Sequence, residues 1–144
     1  MILDCRAMRR DILRMALAAK LEGGHLGGSL SAVEILAALY GGGMHFDPKC
    51  PMDEKRDRFI FSKGHGVMAQ YAAFRQIGLL TDEQILTYKQ AGSVVTAHPS
   101  LNPNLGMEFA SGSLGLGQSV SFRQDDACCA KHHECEKHCN HLFH

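Results

Sequence analysis

The order of apolar and polar positions predicts a helix at the start of the chain. From Asp4 to about Leu21, Ile12, Leu13, Leu17 and Leu21 recur at helical spacing beside Arg9, Arg10 and Arg14, and Gly23-Gly24 supplies a stop. GGHLGGSLS follows and reads as too glycine-rich for a regular element. Ser31 and Glu34 have capping-box spacing, which predicts a second helix through Ile35, Leu36 and Leu39, apolar nearly all round and therefore buried. Gly41-Gly42-Gly43, Pro48 and Pro51 then mark a loop. Phe59 to Phe61 reads as a short strand, followed by a helix from Val67 to Ile77 with Met68, Tyr71, Ala72 and Phe74 on its packing side. Thr81 and Gln84 repeat the capping box for one more helix, ending near Gly92. From Ser93 to Gly117 no period survives, and so long an irregular stretch in a compact domain is usually functional. A strand among longer helices favours an α/β architecture, although one strand makes no sheet.

Composition narrows the choice of partner. The 144 residues hold 15 Lys and Arg against 15 Asp and Glu, so no net charge draws nucleic acid or an anionic membrane. No apolar run reaches the roughly 18 residues that a membrane span needs. MILDCRAMRRDIL lacks the layout of a signal peptide. The expected location is the cytoplasm, where Cys5 and Cys50 would be lone reduced thiols.

Chemistry concentrates in the broken segments. His25 lies in GGHLGG, His65 in SKGHG and His98 in TAHPS, while GSLGLGQS at 112–119 offers glycine-framed backbone N–H groups suited to an anion. Each histidine has a plainer reading: His65 could cap the Val67 helix, and His25 and His98 could be loop histidines tied to backbone. Lys63 could pair with phosphate, but reads more simply as a solvated or structural charge.

Taken together, GGHLGGSLSAVEILAALY, DRFIFSKGHG, AHPS and GSLGLGQSVS closely resemble the N-terminal part of the transketolase family, from about residue 8 to Ser121. The form resembled most is the N-terminal subunit of enzymes split into two chains. The resemblance implies part of a thiamine-diphosphate-binding domain, α/β with a parallel sheet between helices. It also implies transfer of a two-carbon ketol unit between sugar phosphates, with a C-terminal transketolase subunit as partner. By motif, His25 corresponds to a histidine beside the thiazolium that contacts substrate, and His98 to one contacting donor hydroxyls. His65 corresponds to a diphosphate contact, and Gly115, Leu116 and Gly117 lie where the family places backbone against the cofactor.

The resemblance also implies Mg2+ or Ca2+, held by oxygen ligands from a Gly-Asp-Gly motif and a later Asn. No Gly-Asp-Gly occurs in this chain, so impaired catalysis, or a catalytically inactive fragment, is expected. Missing sheet strands would leave apolar surface exposed and favour an oligomer.

Residues 122–144 are set apart as a Cys/His-rich tail. It contains CCAKHHECEKHC, in which Cys128, His132, Cys135 and Cys139 are an alternative zinc set. A third reading is a shifted reading frame. Asp125-Asp126-Ala127-Cys128-Cys129, read one base later, can spell Met-Thr-Leu-Ala-Ala, similar to the family's next helix.

Overall fold

In the computed structural model, which describes residues 2–114 and 117, the first helix runs over Cys5–Ala18 (α1). Asp4 starts it by accepting from the backbone N–H groups of Arg6 at 2.8 Å and Ala7 at 3.2 Å, which supplies two of the partners a helix start lacks. The buried face is Met8, Asp11, Ile12 and Met15. Of the expected apolar positions Ile12 is fully buried, but Leu13 and Leu17 are 47% and 78% exposed. Helical periodicity holds on both sides of α1. The methionine side packs into the core, and Asp11 goes in with it because Arg14 and Arg75 pair its carboxylate in an ion network.

That network ties three helices. Asp11 accepts from Arg75 Nε at 2.6 Å and from Arg14 at 3.2 Å, and both arginines also reach Asp82, at 3.2 and 3.1 Å. Asp11 is fully buried, so its charge is tolerable only because two guanidinium groups face it. Gln76 adds a clamp, accepting from the Asp4 N–H and donating to the Asp4 carbonyl, both at 2.8 Å.

Val67–Gln76 (α4) is the helix on which the others assemble, and residues 67–74 are all buried. A helix apolar all round suits a central position. It is packed by α1, by Leu26–Leu30 (α2), by Val33–Ala38 (α3) and by Asp82–Ile85 (α5). Tyr40 anchors an aromatic cluster, edge-on to Phe74 at 5.3 Å, Phe46 at 5.5 Å and Phe59 at 6.0 Å. Its hydroxyl accepts from Gln70 at 3.0 Å, and burial pushes that phenol well above its ordinary pKa.

Several expectations need correction. GGHLGGSLS does contain a regular element, α2, because Ser29 is buried and its side chain ties back to the His25 carbonyl at 3.0 Å. Ser31 therefore closes α2 instead of capping α3. Its hydroxyl donates to the Gly28 carbonyl at 3.1 Å, and α3 starts at Ala32 with no side-chain cap. Glu34 pairs with Arg9, and Ile35 is 61% exposed, so α3 is buried on one face only. The capping box at Thr81 forms, with N–H to oxygen distances of 3.2 and 2.8 Å, but α5 ends at Ile85.

No strand is present among the described residues, and their one bridge joins Asn102 to Met107. Phe59–Phe61 therefore fails as a strand: without a neighbouring ladder its backbone goes elsewhere, and the Phe61 carbonyl accepts from the Ser111 hydroxyl at 3.2 Å. The described architecture is helical, and the parallel sheet of the α/β expectation is not part of it. No helix of the described residues is long and apolar enough to cross a membrane.

Candidate functional site

Three loop-borne histidines converge where α2 meets the start of α4. His25 occupies the position before α2, where its carbonyl receives the Ser29 N–H at 3.1 Å, leaving the imidazole exposed. His65 sits in the 3-10 turn Gly64–Gly66 that leads into α4 and is half-buried. Its ring lies edge-on to His25, centroid to centroid 5.5 Å at 75°. His98 comes from the irregular segment, with its ring 6.2 Å from that of His25.

Glycines make the convergence possible. A Cβ on Gly28 would lie 2.5 Å from His65 Cδ2 and 2.9 Å from Nε2, so the imidazole occupies the space a side chain would fill. Gly66 is pressed against α2 in the same way, with its Cβ position 3.0 Å from the Gly28 carbonyl. Gly117 brings the glycine string to the site's edge: a Cβ there would meet Ser62 Cβ at 2.5 Å. Gly115 and Leu116 lie outside the described residues, as do Cys128, His132, Cys135 and Cys139.

The plainer readings can now be judged. His65 is no helix cap, since Gly66 holds that position without a side-chain bond. None of the three imidazoles has a hydrogen-bond partner among the described residues; what His25 and His98 engage is their carbonyls. Lys63 donates to the Ser31 hydroxyl at 2.8 Å, which ties the His65 turn to the end of α2. Among the described residues no group of three His, Cys, Asp or Glu side chains could hold a metal ion.

Sequence reasoning missed the groups behind the histidines. Val95 and Pro99 are buried on either side of His98, and the Pro99 carbonyl accepts from the Ser111 N–H at 3.0 Å. Thr96 hydrogen-bonds Tyr71 on α4. Tyr71 was read only as core packing, and nothing in the sequence singled out Thr96 or Ser111.

Three imidazoles facing one another beside glycine-spaced backbone suit a ligand with exchangeable hydroxyl protons and an anionic group. Comparison with known proteins gives the family. The family model described as "Transketolase, thiamine diphosphate binding domain" matches residues 5–139. The chain belongs to this family.

Among individual relatives, the 6-deoxy-6-sulfo-D-fructose transketolase subunit SqwG of a Clostridium species is 42% identical over 102 residues, 71% of this chain and 37% of that protein. The transketolase of Treponema pallidum is 36% identical over 138 residues, 92% of this chain and 21% of that protein. A solved structure of transketolase from Leishmania mexicana superposes with a TM-score of 0.65 at 29% identity, covering 81% of this chain and 18% of the other. The chain thus spans well under half the length of these transketolase relatives. Both the family match and the Treponema alignment extend into the segment after Ser121 that the sequence reading set apart.

Proposed function

We propose that this chain forms part of the thiamine diphosphate site of a transketolase that moves a two-carbon ketol unit between sugar phosphates. The observation that carries the reading is the convergence of His25, His65 and His98, remote in sequence, into one cluster whose imidazoles have no hydrogen-bond partner among the described residues. Gly28 yields its side-chain space to the His65 imidazole, and Gly117 packs closely on Ser62, so both glycines draw their segments in towards the cluster.

When bound, thiamine diphosphate supplies the carbanion-stabilising chemistry of carbon–carbon cleavage. The chain's residues then hold and orient. His65, half-buried on a turn tied through Lys63 to Ser31, is the residue that would donate a hydrogen bond to the diphosphate. The stretch Gly115, Leu116 and Gly117 would lay backbone N–H groups against the same cofactor. His25 and His98, exposed on the open side of the cluster, would exchange protons with substrate hydroxyls, since an imidazole can both donate and accept at its ring nitrogens. Mg2+ or Ca2+ would neutralise the diphosphate through oxygen ligands supplied from outside the described residues. A second, C-terminal transketolase subunit would complete the enzyme, and the SqwG relative, itself named as a subunit, supports that division.

Calorimetric titration with thiamine diphosphate and Mg2+ tests the reading. His65→Ala is expected to weaken binding at least tenfold, about the 1.4 kcal/mol of one charge-assisted hydrogen bond. Equal affinity in the variant would refute the assignment.

A further inference from the structure

The irregular segment carrying His98 is held by a set of hydroxyl bonds whose directions can all be assigned. The His98 carbonyl can only accept, so the Thr96 hydroxyl, 2.6 Å away, donates its one proton there. Thr96 Oγ1 must then accept from its other two neighbours, the Tyr71 hydroxyl at 3.3 Å and the Ser100 hydroxyl at 3.1 Å. Tyr71 in turn accepts the Thr96 backbone N–H at 3.1 Å. Every proton in the set has one place to go. Tyr71 is fully buried on α4, and burial raises its phenol pKa, so the donor keeps its proton at neutral pH.

We infer that Tyr71 and Thr96 are positioning residues for His98. They anchor its loop to the central helix so that an exposed imidazole is held beside His25 before any ligand arrives. The inference rests on the reading that His98 meets the ligand, and it adds which groups aim it. Buried Val95 and Pro99 hold the loop at either end, and without the hydroxyl anchor the residues between them, His98 included, would sample more conformations. Buried Val95 fixes the loop's depth on the core, and the hydroxyls fix its direction.

The test uses the full chain labelled with 13C-histidine. In the wild type, the His98 Cε1–H resonance is expected to be single, and to shift on addition of thiamine diphosphate with Mg2+. Thr96→Val keeps the shape and deletes the hydroxyl, and is expected to broaden or displace the His98 resonance while those of His25 and His65 stay in place. Thr96→Ser restores the hydroxyl and should restore the wild-type resonance. Tyr71→Phe should lower hydrogen-exchange protection of the Thr96 amide about tenfold, the loss of roughly one net hydrogen bond.

An unchanged His98 resonance in Thr96→Val, with the ligand shift intact, would overturn the positioning role and leave the site reading standing. Absence of any ligand shift at His98 in the wild type would overturn the site reading instead. Failure of Thr96→Ser to restore the resonance would also count against the role.

Discussion

Gly27 and Gly28, adjacent on α2, should respond differently to alanine. Both lie within Leu26–Leu30, where replacing glycine gains about 1 kcal/mol of helix propensity at best. A Cβ on Gly27 meets nothing within 4 Å, so Gly27→Ala is expected to stabilise by about 0.4–1 kcal/mol. A Cβ on Gly28 falls 2.5 Å from His65 Cδ2, inside any permissible contact. The obstacle is the end of a side chain, so the imidazole would swing aside. An off-rotamer ring costs about 0.5–1.5 kcal/mol, which roughly cancels the propensity gain. Gly28→Ala should therefore unfold in urea within about 1 kcal/mol of wild type, yet lose the edge-on contact of His65 with His25. Urea denaturation gives the first quantity and the two imidazole resonances give the second. If Gly28→Ala left His65 unmoved while Gly27→Ala moved it, the account of the cluster's packing would be wrong.

Other outcomes are fixed by the same contacts. Asp11→Ala removes the buried carboxylate that two half-exposed arginines share and should cost about 2 kcal/mol in urea unfolding, since Asp82 still faces both. A loss below about 1 kcal/mol would contradict that reading. Hydrogen bonding from Arg14 holds the Asp82 carboxyl below its ordinary pKa, so its contribution is present above the unfolded value near 3.9 and is lost as pH falls through the lower folded value. Asp82→Asn should flatten the acid limb of a stability–pH curve, and high salt should do the same. The Tyr88 hydroxyl is buried with no hydrogen-bond partner among the described residues, and burial pushes its pKa up to about 12. That group's contribution is intact below the unfolded value near 10 and is lost as pH rises towards about 12. Tyr88→Phe should remove this alkaline step and leave neutral-pH stability unchanged or raised, as judged by thermal melts at two pH values.

What could be read in the sequence was chemistry carried by single residues and spacing. His25, His65 and His98 were legible because glycine and proline frames leave few structural duties for a loop histidine. α1 and α4 were legible from periodicity and glycine stops, and Thr81 with Gln84 closed the box their spacing suggests. The same spacing failed at Ser31, where the preceding α2 claimed the serine first. The face of α1 was misread because leucine outranks methionine in hydrophobicity, while Asp11 is buried only once Arg75 arrives from α4. Phe59–Phe61 has the composition of a strand, but a strand exists only with a partner to bond. Tyr71, Thr96 and Ser111 were invisible for a similar reason: each acts through a contact with a remote segment.

The central claim, that three imidazoles form one ligand site, is tested most directly by titrating the 13C-histidine-labelled chain with thiamine diphosphate and Mg2+. His25, His65 and His98 should shift together along one binding curve, while His45, outside the cluster, stays still. Shifts confined to histidines of the 122–144 segment, or three curves with unrelated midpoints, would contradict it.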